Sequence, residues 1–292
     1  MTGAYAALDA ATRGLSVALV EKDDFASGTS SRSSKMVHGG LRYIEQGNLP
    51  LVRRSLLERQ RFRHNAPHLV QRLPFLFPVL SQQGVFDPRI AKAFEGLLWT
   101  YDLVGGWRIG KLHQKLSVAE VLARAPQLNP EHLEGGFLYY DSRADDARLT
   151  LTIARTAAHF GATILNGAMC RDLIVEKARV RGARLQIGDE CVAVQAGVVV
   201  NATGVWADSL GAMSDSTHQA RIRPAKGVHV VVPWSRLRID CTVTVPVPGR
   251  ARRATSPGGG MSSSLARPTP TTTVRSMRCS APARRCSFSW MV

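Results

Sequence analysis

The chain has 292 residues, 45% of them apolar, enough for a sizeable core in one large domain or two ordinary ones. A formal charge of +16 invites a nucleic-acid or anionic-membrane reading, but its distribution argues against nucleic acid: eight arginines and no acid follow from Arg250 onward, half the total. The five cysteines (Cys170, Cys191, Cys241, Cys279 and Cys286) form no CxxC pair and no zinc spacing, so they read as reduced thiols in a cytosolic setting; no run reaches transmembrane length and no signal core opens the chain.

Thr2 to Arg13 is alanine-rich and predicts a helix, with Gly14 placed as its C-cap. Ser16 to Val20, SVALV, suits a short buried parallel strand, and Glu21 stands at its carboxyl end. Helix, tight turn, strand and terminal acid make up the second half of a dinucleotide-binding βαβ unit. The strand and G-x-G-x-x-G turn that such a unit places before its helix are not in this text.

Val20 to Glu45, VEKDDFASGTSSRSSKMVHGGLRYIE, follows as a loop dense in serine, threonine and glycine. Small residues let backbone N–H groups and hydroxyls crowd a ligand, and Gly39-Gly40 permits close approach or positive φ. With Lys35, His38, Arg42 and Tyr43 spaced through it, the loop suits an anionic, nitrogen-rich cofactor; a solvated turn accounts for composition alone equally well.

Pro50 to His64 predicts an amphipathic helix with arginines on a solvated face. Pro67, Pro74 and Pro78 punctuate RLPFLFPVL, a strand bounded by breakers. Phe94 to Leu112 is apolar and aromatic: either core under a cap domain, or a membrane-facing surface with Trp99, Tyr101 and Trp107 at headgroup depth. Gly136 to Asp146 runs from a strand into a turn, with Asp145 or Asp146 as N-cap of a helix over Ala147 to Phe160. Ala162 to Val200 reads as a strand, a β-meander and a further strand that ends at Asn201-Ala202-Thr203-Gly204. Arg221 to Trp234 predicts a strand whose Arg223 and Lys226 would attract a phosphate as readily as face solvent.

Three of these stretches together, the Val20–Glu45 loop, YYDSRADDARL and NATGVWADSL, resemble the flavin-binding motifs of FAD-dependent, quinone-linked glycerol-3-phosphate dehydrogenases; the resemblance runs from Thr2 to Pro248. It implies an α/β fold: a Rossmann-like, D-amino-acid-oxidase-like FAD domain over 1–75 and 142–215 without its first strand, and part of a mixed-sheet substrate domain over 76–141 and 216–248. Oxidation of sn-glycerol 3-phosphate to dihydroxyacetone phosphate, with electrons passed to a quinone, is the implied reaction. Gly3 would match the last glycine of the dinucleotide fingerprint, and Glu21 the ribose-hydroxyl acceptor. Thr29, Ser30, Ser31, Ser34, Lys35, His38, Gly39, Gly40, Leu41, Cys170 (through its backbone), Ala202, Thr203 and Gly204 would contact FAD. His38 and Arg42 would serve as base and phosphate clamp, with cofactor positioning an equal alternative. No metal and no nucleic acid are implied, and the expected location is cytoplasmic, with peripheral contact at the inner face of the plasma membrane as an alternative.

From Gly249 the text loses periodicity and acid, and 249–292 reads as a disordered basic tail. In GC-rich codons, the family's Gly-Thr-Thr-Asp-Thr-Asp-Tyr-Asp-Gly motif read one base out of frame yields the sequence of Ala266 to Val274. The tail is thus expected to be out-of-frame translation of a lost second half. A non-catalytic remnant of the enzyme is then the second function to weigh, and a basic nucleic-acid binder the third.

Overall fold

A computed structural model describes residues 1–44, 46–80, 88–106, 110–215, 217–224, 227–245, 263–265 and 271–276. In chain order its elements are α1 Thr2–Thr12, β1 Ala18–Val20, β2 Met36–Val37, α2 Leu49–Asn65, β3 Val70–Leu80, α3 Pro88–Gly105, β4 Gln114–Leu116 and α4 Val118–Arg124. They continue with β5 Leu133–Ala144, α5 Asp146–His159, β6 Thr163–Leu165, β7 Ala168–Glu176, β8 Arg179–Ile187, β9 Glu190–Gln195 and α6 Ala207–Ser214. The last four are β10 Val228–Pro233, β11 Thr242–Val245, β12 Ser263–Leu265 and β13 Thr271–Ser276. The chain divides into two compact units: Met1–Met36, His68–Val70 and Ala144–Pro224 form unit one, and Val37–Pro67, Gln71–Arg143 and Ala225–Val292 form unit two.

In unit one the alanines at 4, 7 and 11 give α1 a buried stripe one residue wide. Ala7 and Ala11 pack with Ala157 of α5 and with Ala162, and Leu8, Val17, Leu19 and Ile164 border the cluster. Small residues on both helices allow the axes to lie close. α1 stops at Gly14, whose φ of +79° lets its N–H bond the Ala11 carbonyl while Leu15 N–H bonds that of Ala10. That paired closure satisfies the last carbonyls of the helix. β1 runs parallel to β6 in a two-stranded sheet, Ala18 opposite Thr163. The expectation of a buried strand over Ser16–Val20 is corrected: the ladder holds three residues, Ala18 is exposed, and Leu19 and Val20 are half-buried. The strand foreseen at the end of Ala162–Val200 is also absent; residues 196–200 take no strand, with Val198 80% and Val200 67% exposed. Apolar sequence alone does not hold an extended segment without a ladder partner.

The meander over β7, β8 and β9 forms as read, antiparallel throughout. Two-residue turns connect its strands. In the first, Lys177 and Ala178 both have positive φ, as the turn that matches strand twist requires.

Unit two is built on an eight-stranded sheet in the order β10-β13-β12-β11-β3-β5-β2, with β4 paired to β5. Its core joins Leu76, Leu138 and Val243 of the central strands to Val121 of α4, Ile239 and Cys241. α2 begins at Asn48, whose side chain accepts from Leu51 N–H at 3.2 Å. Pro74 and Pro78 lie inside β3 rather than bounding it. The β11 ladder touches β3 only at Phe75 and Leu76, between the prolines, so neither missing N–H breaks it. On α3, Leu98 and Tyr101 are buried and Phe94 stacks on Phe77 at 4.2 Å, whereas Trp99 and Leu103 are exposed; Trp107 lies outside the described residues.

Two expectations about domain limits need correction. Residues 37–67, read with the cofactor domain, belong to unit two, because α2 buries Val52 and Leu56 against Tyr101 of α3. The expectation of a disordered tail over 249–292 is corrected at the described residues 263–265 and 271–276: β12 pairs with β11, and β13 with β10 and β12. The run Thr271-Thr272-Thr273-Val274 is β-branched throughout, which suits a strand whatever its origin.

Candidate cofactor site

Unit one gathers most of the residues singled out for the cofactor. At Gly3 a Cβ would sit 3.1 Å from Ala202 Cβ and 3.5 Å from Leu19 Cδ1, so the missing side chain lets the start of α1 lie against both. The Met1 ammonium donates to Ser30 Oγ at 2.8 Å. Burial lowers its pKa, and the Glu21 carboxylate nearby works in the opposite direction. Glu21 Oε1 accepts from Asp23 N–H at 3.2 Å, and its backbone bridges Leu165 and Ala168.

Thr29–Ser31 form one turn of 3-10 helix after Gly28. Trp206 closes over Gly28, its Cζ3 3.1 Å from where a Cβ would stand, and Lys22 Nζ lies 4.8 Å above the same ring. Ala202, Thr203 and Gly204 are exposed; Asn201 Oδ1 accepts from Thr203 Oγ1 at 2.8 Å, and Gly204 has φ +62°. Ser34 is half-buried. Cys170 is also half-buried, and burial raises its thiol pKa.

Asp146 ties this loop down. Its carboxylate accepts from Ser33 Oγ at 2.7 Å and Ser33 N–H at 3.3 Å, and pairs with Lys35 Nζ. The Lys35 ammonium is thereby occupied within the protein. Asp145, not Asp146, is the N-cap of α5, accepting from Arg148 N–H at 3.2 Å.

His38, Gly39, Gly40, Leu41 and Arg42 fall in unit two. Gly39 N–H donates to Asp141 Oδ1 at 2.9 Å, and Tyr101 OH donates to the same oxygen at 2.9 Å. Arg59 Nη1 pairs with Asp141 and donates to the Tyr140 carbonyl at 3.0 Å. A Cβ on Gly39 would fall 2.1 Å from Tyr101 Oη and 2.3 Å from Leu56 Cδ2. Only glycine fits there, and the reason is packing within the protein. Gly40 has φ +79° and opens the turn Leu41–Tyr43. His38 is exposed; the Arg42 side chain lies outside the described residues.

The sequence reading missed Arg59, Tyr101 and Asp141 as one buried group, and it placed every arginine of α2 on a solvated face. Arg59 is 1% exposed. The signal was present: Val52, Leu56 and Arg59 share one helical stripe, and a cation in an apolar stripe demands a buried acid. Burial, and then the Asp141 charge, push the Tyr101 hydroxyl well above the usual phenol range, so it stays a donor. Among the described residues no group of histidine, cysteine and acid side chains could hold a metal ion.

Comparison with known proteins gives this arrangement a context. The chain is 47% identical over 243 residues to a glycerol-3-phosphate dehydrogenase of Mycobacterium leprae (strain TN), covering 82% of this chain and 41% of that protein. It is 46% identical over 243 residues to glycerol-3-phosphate dehydrogenase 2 of Mycobacterium tuberculosis (strain ATCC 25618 / H37Rv), with the same coverage of 82% and 41%. Among solved structures, the glycerol-3-phosphate dehydrogenase from Bacillus halodurans complexed with FAD superposes with a TM-score of 0.72 at 29% identity, over 97% of this chain and 46% of that one. The chain thus spans about two fifths of the length of the curated relatives it matches. The family model described as "FAD dependent oxidoreductase" matches residues 1–262, so both units share that family's mixed α/β FAD-binding fold. With most of its length so matched, the chain belongs to the FAD dependent oxidoreductase family.

Proposed function

We propose that this chain takes part in FAD-dependent oxidation of sn-glycerol 3-phosphate to dihydroxyacetone phosphate, with a quinone as the electron acceptor. The observation that carries the reading is the contact of Gly3 with Ala202 and Leu19. It joins the helix start, the first strand and the second flavin motif, which lie far apart in sequence, as a dinucleotide site requires. The names of the relatives support the substrate.

FAD, when bound, supplies the two-electron acceptor for oxidation of the C2 alcohol. Glu21 would accept from a ribose hydroxyl through Oε2, since Oε1 is held by Asp23. Thr29, Ser30, Ser31 and Ser34 would offer hydroxyls and amides, Cys170 its backbone, and Ala202–Gly204 a close turn. Lys35, neutralised by Asp146, would act by fixing the loop rather than as a free cation. Exposed His38 would take the C2 hydroxyl proton, and Arg42 would face the phosphate.

A further part of the proposal is peripheral membrane contact, on the cytoplasmic side, through Trp99 and Leu103 on the outer face of α3. No helix among the described residues is long and apolar enough to cross a membrane.

The test is a titration of the purified 292-residue chain with FAD, followed by dye reduction with glycerol 3-phosphate. We expect a stoichiometric flavin spectrum, with affinity at least about tenfold weaker in Glu21→Ala. Lack of a bound chromophore overturns the cofactor reading. Bound flavin without turnover leaves the cofactor role and removes the dehydrogenase role, which is the remnant alternative.

A further inference from the structure

Two arginines of unit two, Arg63 and Arg72, come together, and the charge of Arg59, which pairs with Asp141, acts on Arg63. Arg59 and Arg63 stand one turn apart on α2, and Arg72 lies on β3. Arg59 is buried, and its Nη1 is engaged by Asp141, but Nε and Nη2 have no partner. Those two N–H groups form the side edge of a guanidinium, spaced to meet two oxygens of one oxyanion.

Arg63 is half-buried and Arg72 exposed, and neither has a hydrogen-bond or ion-pair partner among the described residues. Gly110 marks where they meet. A Cβ built on it would lie 2.9 Å from Arg72 Nη2 and 3.8 Å from Arg63 Nη1. Its φ of +72° and lack of a side chain keep that space open. Lys111, the next residue, adds another cation, its Nζ 4.9 Å from the centre of the Tyr140 ring. Burial lowers the Arg63 pKa from the usual guanidinium value, and the charges of Arg72 and Arg59 lower it further. Long side chains that repel one another would separate into water unless an anion were shared between them.

We propose that Arg63 and Arg72, meeting over Gly110 with Arg59 behind them, form a binding site for a phosphate group. Two guanidinium forks from different elements suit a tetrahedral dianion better than a halide or a single planar carboxylate. The site uses none of the residues assigned above to FAD, so its fate is independent of that reading. Its chemistry fits a free phosphate or a phosphomonoester, and equally the headgroup of a phosphate lipid.

Calorimetric titration of the full chain with inorganic phosphate, at constant ionic strength against chloride, tests it. We expect saturable binding that weakens about tenfold or more in Arg63→Gln/Arg72→Gln and is unchanged in Arg61→Gln. Arg61 is the control because its guanidinium is paired with Glu58 on the exposed side of α2. Should the double glutamine variant fail to fold, Arg63→Lys/Arg72→Lys keeps the charge and removes the forks, and still predicts weaker binding. Co-sedimentation with phosphatidylcholine vesicles, with and without phosphatidic acid, identifies the source. Binding to phosphatidic acid that inorganic phosphate displaces marks a lipid headgroup; binding of inorganic phosphate alone marks a soluble ligand. Absence of saturable binding in both arms, or binding equal in the double variant and the parent, overturns the proposal.

Discussion

At the scale of single residues, Asp141 decides most. One carboxylate neutralises Arg59, accepts from Tyr101 and holds the Gly39 amide, all out of water. Its removal leaves a buried cation unpaired, a change that costs about 3–5 kcal/mol. Asp141→Ala should lower stability by that amount in urea unfolding, and Asp141→Asn by less, since it keeps an acceptor for Gly39 N–H. A loss below about 1 kcal/mol in the alanine variant would show that the group is solvated and the pairing weak. The same substitution should speed amide exchange at Gly39 before global unfolding, because that amide loses its acceptor. The text of the chain offered Asp141 only as one letter in GFLYYDSRADD; its partners come from α2, α3 and the loop at Gly39, and no local spacing links them. By contrast, the paired glycines were legible at once, although Gly39 serves contact with Tyr101 and Leu56 within the protein.

At the scale of elements, local rules were read well wherever local forces decide. Gly14 ends α1 as its position promised, and the meander β7–β9 follows from alternation and turn spacing. Its first turn has a sequence that does not favour it: Lys177 at φ +49° and Ala178 at +58° carry side chains in the left-handed region. Relief of that strain predicts that Ala178→Gly raises stability by about 1 kcal/mol, while the same change at Ala183, inside β8, lowers it by roughly 0.5–1 kcal/mol. Thermal unfolding of the two variants would check both signs. Elements that depend on distant partners were misread. Residues 198–200 carry three valines yet form no strand, whereas β3 forms as read, with Pro74 and Pro78 inside it and the β11 ladder between them.

At the scale of the whole molecule, the family and the two-part organisation were visible in motifs, but the boundary at Met36 was not. The cofactor loop reads as one continuous text, and the packing of α2 on α3 draws its second half into unit two. The tail shows the opposite case. Its composition predicts disorder, and its residues 263–265 and 271–276 nevertheless complete a sheet. Deletion of 250–292 would lower the net charge by eight and remove β12 and β13. Hydrogen exchange should then rise at Thr242–Val245 and Val228–Pro233, the strands they pair with. Unchanged protection would mean that these pairings contribute nothing in solution.

Trp206 lies against Gly28, directly before the Thr29–Ser31 turn, and two residues after the Ala202–Gly204 stretch, with the Lys22 ammonium over its ring. An indole so placed is a built-in optical gauge. Any ligand that shifts either stretch alters the electric field on the ring, and a yellow chromophore nearby would quench its emission by energy transfer. The difference between the fluorescence of the parent chain and that of Trp206→Phe would therefore report occupancy of unit one without a label, a coupled enzyme or turnover.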